Sequence, residues 1–382
     1  MKFIDCDRHV MEPLYIWEHY VSEDIYTKFP VHFKESSLKG SENKHEGLNE
    51  LNQKLPPTYF IGPYPILNKW SMELQLETAS RPKNSCDRHL ALTGQGQLES
   101  MDKGEVSKAL IFPTFAGYIV NHNKIPSEVS IGYAQGYNKW ILDYCSINRG
   151  RLIPVALVSR HDPFSLKAQL KEIIKQGFEF VTIRPEPING EHLGSQSYNE
   201  FWKTCELHDI KIAFHGGTHL HGDTVGVDRF ESRFALHACS HAMEAQLAFL
   251  SLLEGNVFEN FPALKFIFLE AGASWLPYWL WRLDNICYPE FPALIKNRLK
   301  SLPSSYFARN CYVSYEPGEP NLHETVKLIG EEKILFGTDF PHPDHQSFSI
   351  KELFETPGLT QEQIVKSLLK NPEAIIDIKN EL

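Results

Sequence analysis

Short apolar runs, rich in β-branched and aromatic residues, recur along the chain, and amphipathic stretches separate them. The runs are KFIDCD at the start, KALIFPT (108–114), RLIPVALVS (151–159), FEFVTIRP (178–185), KIAFHGG (211–217), KFIFLEAG (265–272), CYVSYEP (311–317) and KILFGTDFP (333–341). In DPFSLKAQLKEIIKQG the apolar residues Phe164, Leu166, Leu170, Ile173 and Ile174 follow a period near 3.6, which predicts a helix. SYNEFWKTCELHD reads the same way. Eight strands alternating with helices predict a parallel sheet, and eight is the number that closes a (β/α)8 TIM barrel. A doubly wound open sheet is the runner-up. It is disfavoured because no GxGxxG follows the first strand and no Walker-type lysine loop occurs.

The repeat is interrupted after the first strand. Residues 14 to about 104 carry the polar KESSLKGSENKHEGLNE and then LPPTYFIGPYP, rich in Pro, Gly and aromatics. This reads as a capping insertion on a single domain spanning 1–382, because it leaves from the end of the first strand that bears polar side chains. A second insertion, about 218–236, follows the fifth strand.

The polar residues at the strand ends carry the chemistry. Alternate residues of a strand share a face, so Asp5, Asp7 and His9 are expected to point one way, opposite Ile4, Cys6 and Arg8. The fifth run ends in His215, the sixth in Glu270 and the eighth in Asp339. In a barrel these ends converge on one rim. Carboxylates crowded there repel one another unless a cation neutralises them, so a metal site is preferred over a hydrogen-bonded polar cluster. HACSHAMEAQLAFLSLLEG, if helical, sets His237, His241 and Glu244 at i, i+4 and i+7 on one face, with Leu247, Leu250 and Leu253 as its apolar support. Such histidines bind a metal, brace its ligands, or are ordinary half-buried side chains. Arg184, ending the fourth strand, is a candidate for a substrate carboxylate through its planar fork, or for an internal bridge between strand ends.

Composition narrows the classes. The 382 residues are 42% hydrophobic and 23% charged, as in a globular protein, and the net charge of -10 disfavours nucleic acid. No run approaches the ~18 apolar residues of a membrane helix, and the start is too polar for a signal peptide. Seven scattered cysteines without a CxxC pair read as reduced thiols of a cytoplasmic protein. The expected partner is a small molecule; Phe115, Tyr118 and Tyr64 are candidates for an apolar pocket wall. Trp275, Trp279 and Trp281 read as packing against the barrel or a neighbouring subunit.

Five motifs, DCDRHVMEP, FHGG, NVFENFPALKFIFLEAGASWLPYWLWRLD, PSSYFARNCYVSYEP and ILFGTDFPHPD, resemble the amidohydrolase-related family of metal-dependent TIM-barrel hydrolases and non-oxidative decarboxylases. The resemblance implies Asp7, His9, His215 and Asp339 as ligands of a divalent metal, with Glu270 as ligand or bridge. It implies Asp339 or a nearby histidine, His241, as proton carrier, and it allows a homodimer. Asp7 stands where many members carry His or Glu, and Glu270 where decarboxylases carry His. Arg184 replaces the lysine whose carbamate bridges two metals in some members. The carboxylate-rich set suits manganese, iron or zinc, as one or two ions, with Glu12, His237, His241, Glu244 and Glu270 available for a second. The leading expectation is a hydrolase or decarboxylase of a small carboxylate or carbonyl compound. The alternatives are a non-haem diiron oxygenase and, less favoured, a non-catalytic ligand-binding barrel.

Overall fold

The computed structural model describes residues 1–34, 58–68, 87–217, 221–290, 298–342 and 349–376. All eight apolar runs are strands. In chain order β1 is Phe3–His9, and the insertion contributes β2 (Val31–Lys34), β3 (Thr58–Ile61) and β4 (Tyr64–Pro65). Then follow β5 (Val106–Phe112), β6 (Leu152–Leu157), β7 (Phe180–Ile183), β8 (Lys211–His215), β9 (Phe266–Leu269), β10 (Cys311–Tyr315) and β11 (Ile334–Phe336). The parallel sheet runs β1-β5-β6-β7-β8-β9-β10-β11. Its two ends meet through a parallel bridge between Arg8 and Phe340, with Asp339 N donating to Asp7 O at 2.9 Å and His9 N to Phe340 O at 2.7 Å. The chain is therefore a (β/α)8 barrel, the form in which parallel strands bury both faces and leave no edge.

Two layers of apolar packing follow from the strand alternation. Ile4, Cys6, Leu110, Phe112, Val155, Phe180, Ala213, Ile267 and Leu335 fill the barrel interior, and Ile375 and Ile376 pack with them. Residues of the other face, such as Phe3, Ile111, Val181, Ile212 and Val313, join the larger layer between sheet and helices. The helix Leu166–Lys175 buries Leu166, Leu170 and Ile173 there, as its period predicts. Phe164 precedes the helix and is 86% exposed.

β1 departs from strict alternation. Its pairing with β5 shifts register between Asp5 and Arg8, as at a bulge. Asp5 therefore does not share a site with Asp7 and His9, as period two predicts. It turns to Arg8 Nη1 (3.2 Å) and accepts from Thr338 N (2.9 Å) and Thr338 Oγ1 (2.6 Å), tying the first strand to the last.

The stretch expected as one long helix is two, Arg233–Ser240 and Ala242–Glu254, broken at His241 (φ -99°, ψ -71°). Leu253 is buried, whereas Leu247 and Leu250 lie at the surface, so the apolar stripe is narrower than expected. In the insertion, β2, β3 and β4 form a small antiparallel sheet; Tyr59 packs on Phe115, and Pro65 O meets His122 Nε2 at 3.1 Å. The polar KESSLKGSENKHEGLNE falls almost wholly outside the described residues. Trp275 packs on Phe268 and Phe307, while Trp281 is 51% exposed. The six described cysteines are free. Among the described residues no helix is long and apolar enough to cross a membrane.

Candidate metal centre

Four strand ends deliver Asp7, His9, His215 and Asp339 to one point, their ligand atoms all within 4.8 Å of one another. His9 Nε2 lies 2.9 Å from His215 Nε2, 3.2 Å from Asp7 Oδ1 and 3.4 Å from Asp339 Oδ1; His215 Nε2 lies 3.4 Å from Asp7 Oδ1. Donors about 2.0–2.2 Å from a shared cation stand about 2.8–3.6 Å apart at tetrahedral or octahedral angles, and these separations fall in that interval.

The tautomers argue the same way. His9 Nδ1 faces Pro113 O at 2.8 Å and His215 Nδ1 faces Gly216 O at 3.1 Å. A carbonyl only accepts, so each Nδ1 carries the proton and each neutral ring aims an Nε2 lone pair into the cluster. Two lone pairs facing each other at 2.9 Å need a proton or a cation between them. Asp7 Oδ1 is buried and accepts no hydrogen bond. Burial pushes the His215 ring down, but Asp7, Glu270 and Asp339 outweigh it and lift the ring to about 9. Burial pushes Asp7 up, yet the His215 and His9 rings hold its carboxyl below the usual range. The cluster draws positive charge, and its two imidazoles and two carboxylates fit a divalent manganese, iron or zinc ion.

Backbone geometry aims two of the acids. Glu270, just after β9, has φ +53°, and Asp339 has φ +55°. Side-chain-bearing residues in this left-handed region carry strain of about 1–2 kcal/mol, which tends to gather at functional positions. Glu270 Oε2 stands 3.6 Å from both His215 Nδ1 and His241 Nδ1. Glu270, Asp339 and His342 make a second group of converging ligand atoms.

The remaining expected residues sit differently. Glu12 turns to the loop after β5, where its carboxylate accepts from Thr114 N (2.9 Å), Phe115 N (2.9 Å) and Ala116 N (3.0 Å). Glu244 accepts from Val225 N at 2.5 Å, and burial followed by the nearby Glu186 pushes it up to about 8. His237 is exposed on its helix, its ring 5.2 Å from that of His241. Among the described residues Glu12, His237 and Glu244 belong to neither converging group. Arg184 gives its fork to Glu186, through Nε at 3.1 Å and Nη2 at 2.5 Å, and Nη2 also donates to Gly217 O at 2.7 Å. Its flat edge is thus already bridged inside the protein.

A cavity of about 210 Å³ opens over His9, His215, Glu270 and His342. Phe112, Phe115, Tyr118 and Leu157 supply apolar wall, and Leu67 and Arg88 reach it from the insertion. Tyr64 packs instead against His122. Sequence reasoning did not single out His342, Arg88 or Arg233, which also line the cavity. For His342 a signal existed, since it lies three residues beyond Asp339 in the same motif.

Fold and donor set together define a TIM barrel with a candidate cation site at the C-terminal ends of its strands. Residues 4–378 match the family model described as Amidohydrolase, and the chain belongs to that family. A 2-amino-3-carboxymuconate-6-semialdehyde decarboxylase of Dictyostelium discoideum is 27% identical over 236 residues, 59% of this chain and 63% of that enzyme. The matched stretch thus spans less than two thirds of that relative. An amidohydrolase of Mycobacterium avium subsp. paratuberculosis K-10 superposes with a TM-score of 0.75 at 19% identity, covering 98% of each chain. A 5-carboxyvanillate decarboxylase of Novosphingobium aromaticivorans, crystallised with manganese and a nitrobenzoic acid, gives a TM-score of 0.66 at 18% identity over 81% of this chain and 88% of that one.

Proposed function

We propose that the protein is a metal-dependent enzyme acting on a small carboxylate- or carbonyl-bearing compound, by non-oxidative decarboxylation or by hydrolysis. The observation that carries this reading is the convergence of Asp7, His9, His215 and Asp339 beneath a partly apolar cavity. Those four residues hold the cation, which supplies Lewis-acid polarisation of a substrate oxygen. Manganese, iron and zinc all suit the donor set, and the manganese in the structural relative above supports the first of them. Two of the relatives are named as decarboxylases, which favours loss of a carboxylate over hydrolysis.

The chain's own groups do the rest. Phe112, Phe115, Tyr118 and Leu157 exclude water and suit a planar or aromatic substrate. Arg184, clamped by Glu186, offers the cavity a fixed positive edge and not an open fork. Asp339 within the cluster and His241 beside it, 3.6 Å from Glu270, are the groups that accept and return a proton. The described part of the insertion acts as a cap. Buried free thiols suit a reducing cytoplasm, and the exposed Tyr278 and Trp281 suit a homodimer face. The diiron oxygenase alternative needs His237, His241 and Glu244 to meet, and among the described residues they form no such group.

The test removes metal with a strong chelator, restores manganese, iron or zinc singly, and assays unsaturated and aromatic carboxylates for carbon dioxide release and for hydrolysis. Turnover that vanishes on chelation and returns with one of the ions is the expected result. Full turnover by a rigorously metal-free preparation would overturn the reading.

A further inference from the structure

Two imidazoles stack on each other away from the cation site. His122 lies two residues past the helix Phe115–Val120, and His221 lies in the second insertion; their ring centroids are 4.4 Å apart at 27°. A third ring, His161 after β6, places Nε2 3.0 Å from His122 O. The stack joins segments far apart in the chain. His122 Nε2 meets Pro65 O of β4 at 3.1 Å, and Asn123 N donates to His221 O at 2.9 Å. Leu67, Asn121 and Arg233, one from each joined segment, line the cavity. We propose that this stack is an acid-sensitive clasp: with both rings neutral it holds the cap and the second insertion together over the cavity, and their protonation releases them. The clasp does not rest on the reaction proposed above, because no candidate metal ligand takes part in it.

The hydrogen bonds leave no place for an added proton. Pro65 O only accepts, so His122 carries its proton on Nε2, while Nδ1 accepts from Lys124 N at 3.2 Å. A second proton, on Nδ1, faces that amide and breaks the bond. His221 Nε2 is buried and makes no hydrogen bond, so a proton there finds no acceptor. Two cations stacked at this distance also repel each other.

The surroundings do not offset that repulsion. Among the described residues no carboxylate pairs with the three rings, and the charged groups facing them are Lys124 and Arg160. Tyr64 packs on His122 from the cap, with ring centroids 5.6 Å apart. Asp162 turns to Phe164 N, and Asp223 is exposed. Burial and then His221 push the His122 ring down to about 3, against 6.5 for a free imidazole. Burial likewise lowers His161 and His221. With folded values depressed, the clasp contributes its full stability above pH 6.5 and loses it as pH falls from there towards 3.

The experiment follows hydrogen–deuterium exchange of the full chain at pH 7.5 and 5.0, corrected for the intrinsic pH dependence of exchange. Segments 58–68, 121–125 and 221–227 are expected to lose protection at least about 10-fold at pH 5.0, while β5 and β8 keep theirs. His122→Gln can still donate to Pro65 O and accept from Lys124 N but takes no proton; His221→Phe keeps the ring contact without the charge. Each is expected to retain at pH 5.0 the protection it has at pH 7.5, and two variants guard against a folding failure in either. Equal protection of the unaltered chain at both pH values would overturn the clasp. So would release that persists in both variants, or release of β5 and β8 in parallel with the three segments.

Discussion

Asp7 and Glu12 are five residues apart, both almost fully buried, and their surroundings are opposite in kind. Glu12 meets three backbone amides, which satisfy its carboxylate at the start of a loop. Asp7 Oδ1 meets two imidazole nitrogens whose other nitrogens are committed to carbonyls, and it accepts no hydrogen bond. A buried charge needs either donors or a counter-ion. Glu12 has the donors and serves the architecture. Asp7 Oδ1 lacks them and calls for a cation. Glu244 falls on the side of Glu12: its oxygen takes an amide, and burial raises its proton affinity.

The largest effect that can break this comparison comes at the cation side. His215→Ala is expected to lose bound metal and to lower turnover by at least about 100-fold, with the fold kept. Metal analysis beside circular dichroism checks it; retained metal at full occupancy would contradict the assignment. Next comes Glu12→Gln, which leaves three buried amides facing one neutral acceptor. A stability loss of about 2–4 kcal/mol is expected, read by denaturant unfolding, with metal content unchanged in the folded fraction. Loss of metal at unaltered stability would reverse the roles given to the two acids.

A smaller, pH-dependent effect belongs to Glu244. Burial pushes its carboxyl up to about 8 in the folded chain, against 4.5 for the free side chain. Between those values the folded chain holds the extra proton. The stability this contributes is complete below 4.5 and is lost as pH rises through about 8. Glu244→Gln mimics the protonated form and keeps an acceptor for Val225 N. It is expected to flatten the decline in melting temperature across this window and to gain a few degrees at its upper end. An unchanged slope would show that Glu244 is ionised when folded. The smallest effect is at Phe164, 86% exposed: Phe164→Ser should change stability by less than about 0.5 kcal/mol.

The chain's own pattern was enough to predict the eight strands, the barrel and the residues at its rim, because apolar alternation and strand-end polarity are local properties. Asp7, His9, His215, Glu270 and Asp339 were legible for that reason. His342 was passed over although it shares the Asp339 motif, because what fixes its ring is Thr114 in the loop after β5. The bulge in β1, the break at His241 and the capture of Arg184 by Glu186 were equally hidden. Sequence sets which side chains are offered at each strand end. Only the closed barrel decides which of them find hydrogen-bond donors nearby and which face one another across a gap, since that balance depends on partners hundreds of residues away.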